Sequence, residues 1–212
     1  RKQRGLGFSL SSVGVQAKGR TTILRLNYRN TREILKFAYD FAKGSMETAS
    51  ADDDHIPLIE PASSGNSGPP PEFRCLESFQ NEVAYAVRCV DRWLAHGVPA
   101  REIALICFSK RQGDLLSLGL VEQGIRHLWM RDKSEKQAFD PADERVTLVT
   151  VHSSKGLEFQ SVVLVGVGEL EDDEEKKADH TRLLYVAMTR AKQQLAVTAS
   201  GRNAFVERLE AG

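Results

Sequence analysis

No apolar run in this chain approaches the about 18 residues of a membrane span, and nothing at its start reads as a secretory signal. Cysteine is scarce. Cys75, Cys89 and Cys107 are odd in number and sit in neither a CxxC pair nor a metal-ligand spacing. That excludes a disulfide framework and fits a reduced, cytoplasmic setting with no membrane. Neither sign of charge is in excess, with 29 basic and 29 acidic residues. Composition therefore gives no sign of a nucleic-acid binder, and any such surface must be a local patch. There is no GxxxxGK[ST] loop and no GxGxxG, so the chain has no cradle of its own for a nucleoside triphosphate. A Ser-His-Asp elbow is also absent, and the five histidines (His55, His96, His127, His152, His180) show no ligand spacing, so no metal site is expected.

What is present centres on Val146–Phe159, VTLVTVHSSKGLEF, with a later companion at Arg182–Ala191, RLLYVAMTRA. The first is apolar on both faces and then breaks into His152-Ser153-Ser154-Lys155-Gly156, as a parallel strand covered on both sides does when it runs into a loop. Ligands of open α/β sheets sit outside the carboxyl ends of strands, which places His152 and Lys155 on the working side. The second reads as a short helix whose stripe Leu183, Val186, Ala187 continues onto Arg190. A guanidinium on an apolar stripe requires a partner.

At 212 residues the chain is long enough for a proper core, and its start at Arg1 without methionine reads as a piece of a longer protein. Residues 1–20 form a basic, loop-like lead-in. Thr21–Leu26 is β-branched and apolar, a strand; Asn30 then opens a helix, with Glu33 as its capping-box partner and Gly44 as its stop. Residues 45–71, with Asp52-Asp53-Asp54 and Pro69-Pro70-Pro71, read as a long flexible surface loop. From Glu72 strands alternate with helices. Strands are expected at 73–76, 103–108, 125–129, 146–151, 162–167 and 195–198. Ser78 and Ser109 cap two helices, with stripes Val83, Val87, Val90, Leu94 and Leu115, Leu118, Val121. Ser134–Glu144 is polar and turn-rich. Glu169–Glu175, six carboxylates in seven residues, reads as a solvated loop, with a helix starting at Asp179 or Thr181 and a closing helix at 203–209. This rhythm implies one α/β domain over 21–212, a doubly wound, mostly parallel sheet with helices on both faces.

Tyr28, Arg29, His152, Lys155 and Arg190 all fall at expected strand ends, on one edge of that sheet. Each also has a plain structural explanation: a dipole-complementing arginine, a packing ring, a satisfied strand-end histidine. Together they suit an anion delivered from outside the chain.

Three segments resemble the C-terminal half of UvrD/Rep-type superfamily 1 DNA helicases. LNYRNTREIL at Leu26–Leu35 is similar to that family's motif IV, VTLVTVHSSKGLEFQSVVL at Val146–Leu164 to motif V, and RLLYVAMTRAKQQL at Arg182–Leu195 to motif VI. The resemblance implies a RecA-like second domain, 2A, that closes on ATP and Mg²⁺ held mainly by an N-terminal RecA-like domain of the same protein. It implies that Tyr28 stacks on or flanks the adenine, that Arg29 and Arg190 are arginine fingers, and that Glu158 contacts the ribose or couples the nucleotide to the DNA response. Thr150, His152 and Lys155 would lie against single-stranded DNA. The chain carries neither the family's phosphate loop and acidic Mg²⁺-binding pair nor its large 2B insertion, at whose position only Ser134–Glu144 stands. Motif VI opens with Asp179-His180-Thr181 where the family has acidic residues and arginine. The expected function is the motor domain of an ATP-dependent DNA helicase or translocase, inactive alone. The rival is a non-catalytic nucleic-acid-binding or interaction domain that keeps the motor fold.

Overall fold

The computed structural model describes residues 29–46, 66–137, 140 and 142–211. The basic lead-in, the strand expected at 21–26, Tyr28 and most of the 45–71 stretch, including Asp52–Asp54, lie outside the described residues. Helix α1 (Arg32–Met46) comes first, then β1 (Glu72–Leu76), α2 (Phe79–Ala95), β2 (Ile103–Cys107), α3 (Lys110–Glu122), β3 (His127–Trp129) and the short α4 (Lys133–Gln137). After these follow β4 (Val146–Thr150), β5 (Phe159–Leu164), α5 (Glu174–Met188), β6 (Ala191–Ser200) and α6 (Ala204–Ala211). The six strands pair in the order β1-β6-β5-β2-β4-β3, parallel throughout. No helix among the described residues is long and apolar enough to cross a membrane.

The continuous apolar strands are explained by cover on both faces. Successive side chains of a strand point to opposite sides. Ala104 and Ile106 of β2, Val149 of β4, and Val162 and Leu164 of β5 face one core, completed by Ile34 and Phe41 of α1, Leu184 and Met188 of α5, and Phe205 of α6. Ile103, Leu105 and Cys107, Leu148, and Val163 face the other, closed by Ala86 and Val90 of α2 and Leu116 and Leu120 of α3. A strand sandwiched this way cannot tolerate the polar alternation of a half-solvated one.

Several expected boundaries move, each for a local reason. Strand β5 spans Phe159–Leu164 and not 162–167. Gly166 ends it at φ +86°, where a Cβ would also meet the Gln112 amide at 2.3 Å. Strand β6 begins at Ala191, because its polar start Lys192-Gln193-Gln194 still pairs with β5, across a register irregularity between Phe159 and Ser161. Helix α1 runs through Gly44 to Met46, and Glu33 accepts from Gly68 N (2.9 Å) and Ser67 Oγ (2.8 Å). Those two bonds hold the Glu33 carboxyl down at about 2. Helix α5 starts inside the acidic run, with Asp173 accepting from Lys176 N as N-cap and Glu174 and Glu175 in the first turn. Carboxylates there complement the helix dipole. The stretch expected as a polar turn contains α4.

Ser78 and Ser109 cap α2 and α3 as expected, the latter in a reciprocal box with Gln112. The stripe of α3 is rotated, however. Gln112, Gly113, Leu116 and Leu120 face inward, while Leu118 and Val121 are 60% and 64% exposed. Gly113 explains the shift. A Cβ there would lie 2.2 Å from the Trp129 ring, so the aromatic ring supplies the apolar surface that the helix lacks. On α2 the inward row includes Glu82, whose side chain is wholly buried. Its carboxylate accepts from Gly166 N (2.8 Å), Thr198 Oγ1 (2.6 Å) and Ser200 Oγ (2.5 Å), joining α2 to the carboxyl ends of β5 and β6. Burial pushes its pKa up, against the pull of those three donors.

Glu82→Ala leaves three buried donors without their acceptor and is expected to cost about 3 kcal/mol or more in a urea titration. The folded chain holds the Glu82 proton more tightly than the unfolded chain does. Its contribution is therefore full below the ordinary 4.5 and is lost as pH rises through the raised value. The stability difference between wild type and Glu82→Gln should accordingly shrink with rising pH above 4.5. On α3, Leu116→Ala should cost about 2–5 kcal/mol. Leu118→Ala should stay within about 0.5 kcal/mol. Equal costs would contradict the rotated stripe.

Candidate functional site

The sequence-expected residues gather at two places. Parallel pairing of β5 with β6 sets Phe159 opposite Ala191, and Phe159 N donates to Arg190 O at 3.0 Å. Glu158 and Arg190, each one residue ahead of its strand, are thereby neighbours at the amino edge of the sheet. Arg29, just ahead of α1, reaches the same spot, where its Nη1 donates to Glu158 Oε1 at 2.8 Å. The two side chains are 73% and 31% exposed, so the ion pair is solvent-screened and easily exchanged for another anion.

Arg190 is held differently. It lies past the C-cap of α5, Thr189, and not on the helical stripe. Its half-buried side chain donates from Nε to Val186 O (3.1 Å) and from Nη1 to Leu157 O (3.2 Å). These main-chain carbonyls are the partners that a guanidinium among apolar residues requires. Burial lowers its pKa, with Glu158 opposing and Arg29 adding to the depression, so both charges lie within electrostatic reach. Two guanidiniums and one carboxylate leave this corner with a net positive charge. An open polar recess of about 810 Å³ adjoins it, lined by Arg29, Thr31, Gly68, Arg101, Lys192 and Gln193.

Thr150, His152 and Lys155 lie elsewhere. Thr150 is the last residue of β4 and pairs with Cys107, the last of β2, so it stands at the carboxyl edge. Its Oγ1 donates to Ser153 Oγ at 3.0 Å. A single 3₁₀ turn, Val151–Ser154, follows, pinned by the buried Ser154 Oγ donating to Val151 O at 2.7 Å. His152 and Lys155 are exposed on it. Gly156, at φ +86°, turns the chain back toward the amino end of β5. The run HSSKGLEF is thus a short return across one face of the sheet, and the expected single edge is in fact two. Residues that follow β4 stand at the carboxyl edge, whereas Glu158 and Arg190 directly precede β5 and β6, which start at Phe159 and Ala191 and not at 162 and 195.

Each edge contains side chains that the motifs do not single out. At the carboxyl edge, Lys110 and Arg111 open α3 directly after β2, paired with Asp132 (2.6 Å) and Glu169 (3.1 Å). A capped helix after an apolar strand was the available signal. At the amino edge, Asn30 is 2% exposed and bonds to the α5–β6 turn. Tyr28 lies outside the described residues. Among the described residues no three His, Cys, Asp or Glu side chains converge in a way that would hold a metal ion.

With this geometry in hand, the kinships are specific. Residues 22–135 and 130–202 match the UvrD-like helicase C-terminal domain. A probable DNA helicase of Mycoplasma pneumoniae is 28% identical over 193 residues, 85% of this chain and 33% of that protein. The ATP-dependent DNA helicase Rep of Escherichia coli is 35% identical over 82 residues, 36% of this chain and 12% of that one. The chain thus aligns with a third or less of the length of these relatives. The crystal structure of the C-terminal domain of a possible DNA helicase from Lactobacillus plantarum superposes with a TM-score of 0.61 at 18% identity, covering 86% of this chain and 94% of that one. That likeness bears on the fold, and it agrees with the parallel RecA-like sheet. Family match and sheet together identify the chain as a member of the UvrD-like helicase C-terminal domain family.

Proposed function

We propose that this chain is the motor-domain half of an ATP-dependent DNA helicase or translocase that completes an ATP site formed mainly by an N-terminal RecA-like domain of the same protein. The observation that carries the reading is the Arg29–Glu158 ion pair beside the carbonyl-held Arg190. It joins three segments far apart in sequence into one positive corner.

The chemistry asked of such a corner is charge stabilisation. A phosphoryl group in transfer spreads negative charge over its equatorial oxygens, and fixed guanidiniums aimed at it lower the barrier without covalent chemistry. Arg190 is already desolvated and oriented, so little reorganisation remains at the moment of reaction. Arg29 is exposed, and exchanges Glu158 for the phosphate. Glu158, once released, is free to accept from a ribose hydroxyl, and Tyr28 flanks the base. Mg²⁺, held mainly by the other domain, would neutralise phosphate charge. At the opposite edge Thr150, His152 and Lys155 meet the backbone of single-stranded DNA. A few phosphate contacts of this kind need no excess of basic residues.

In the full-length protein, Arg190→Ala is expected to lower DNA-stimulated ATP hydrolysis by about 10³ or more, with nucleotide binding largely kept. Near-normal turnover would overturn the assignment. Lys155→Ala should weaken single-stranded DNA binding and reduce the slope of log affinity against log salt by about 0.7. An unchanged slope would remove Lys155 from the DNA path.

A further inference from the structure

Asn30 has no part in the motifs' chemistry, yet it is almost wholly buried beside it. Its Nδ2 donates to Thr189 O at 2.9 Å and to Ala191 O at 2.5 Å, the carbonyls on either side of Arg190. The next residue continues the docking, with Thr31 N donating to Lys192 O at 2.9 Å. The sheet explains why donors are needed there. Strand β1 begins to pair with β6 only at Glu72 opposite Ala196, so the first residues of β6 run past β1. Their carbonyls require other donors, and residues 30–31 supply them.

From this we infer that Asn30 is a positioning residue, one that fixes the Arg29 and Arg190 guanidiniums relative to each other by clamping the main chain on both sides of Arg190. The inference rests on the proposed role of that pair. Arg29 is the immediate chain neighbour of Asn30, so a clamp on residues 189 and 191 sets where its backbone starts. Between the two like charges stands Glu158, which bonds Arg29 directly and acts on Arg190 through its charge. Glu158 cannot serve both that end and an incoming phosphate. The amide does not titrate and does not compete for the anion, so the clamp persists when Glu158 lets go.

The test is steady-state ATP hydrolysis by the full-length protein at saturating single-stranded DNA, with Asn30→Ala and Asn30→Ser each made in wild-type and Arg190→Ala backgrounds. Misplacing a charge by about 1 Å costs about 100-fold, so Asn30→Ala should lower kcat by that order. KM for ATP should change by no more than about twofold, as for a contact felt in the transition state. Asn30→Ser keeps one donor and should recover about tenfold of the loss. In the Arg190→Ala background, Asn30→Ala should cost well under that 100-fold, because one of the two guanidiniums whose separation the clamp sets is already gone. Full turnover in Asn30→Ala, or the same fold-loss again without Arg190, would overturn the inference, the second outcome marking Asn30 as merely structural. Should Asn30→Ala fail to fold, Asn30→Ser decides: an intact kcat overturns the inference, and a loss of kcat at constant KM upholds it. Normal turnover in Arg190→Ala alone would take down the proposed function and this inference with it. An impaired Arg190→Ala beside an active Asn30→Ala would remove only the clamp.

Discussion

The parallel register that sets Phe159 opposite Ala191 is the constraint on which the candidate site depends. It brings a segment that ends in Glu158 against one that ends in Arg190, and neither residue is itself in a strand. Both strands are covered on two faces, so the register cannot slip by one residue without exchanging the two cores. Packing that has nothing to do with chemistry therefore fixes the separation of the charged groups. The polar contacts at this edge, Arg190 with its two carbonyls and Asn30 with two more, refine a geometry that the apolar layers impose.

The carboxyl edge is organised by the opposite device. There a single buried carboxylate, Glu82, collects three donors from two segments, the end of β5 and the end of β6. At the amino edge a buried amide and a half-buried guanidinium collect carbonyls. Each edge thus has a donor-rich or acceptor-rich anchor below the surface and mobile charges above it: Arg29 with Glu158 on one side, Lys110 with Asp132 and Arg111 with Glu169 on the other. The exposed pairs contribute little to stability and are free to exchange. The buried groups are not.

Much of this was legible in the residues. Strands apolar on both faces, such as Ile103–Cys107 and Val146–Val151, announce a covered parallel sheet, and Ser78 and Ser109 mark helix starts through a hydroxyl that accepts a main-chain N–H. The misreadings share a cause: a tertiary partner supplied what the local pattern lacked. Gly113 looks like a gap in an apolar stripe until the Trp129 ring fills it. The polar start of β6 looks like loop until β5 and residues 30–31 take up its main-chain groups. The acidic run looks solvated, although its second half is the favourable first turn of α5. The motifs single out Arg29, Glu158 and Arg190, but not that Thr150, His152 and Lys155 stand at the opposite edge. That depends on β5 and β6 starting at Phe159 and Ala191, earlier than their apolar runs suggest, so that Glu158 and Arg190 precede strands.

The strand order also bears on how the chain acquires its structure. Strand β6 follows the other described strands in sequence yet lies between β1 and β5, so among the described strands β1 gains its neighbour only after β2 to β5 have been made. Pairings of such long sequence separation require a large loop closure before they return any stabilisation. During synthesis the β2-β4-β5 centre, with α2 and α3 closing one of its faces, can assemble early, while β1 waits for β6. Insertion of β6 between β1 and β5 thus completes the described sheet, and the Glu158–Arg190 corner comes into being in that same late step.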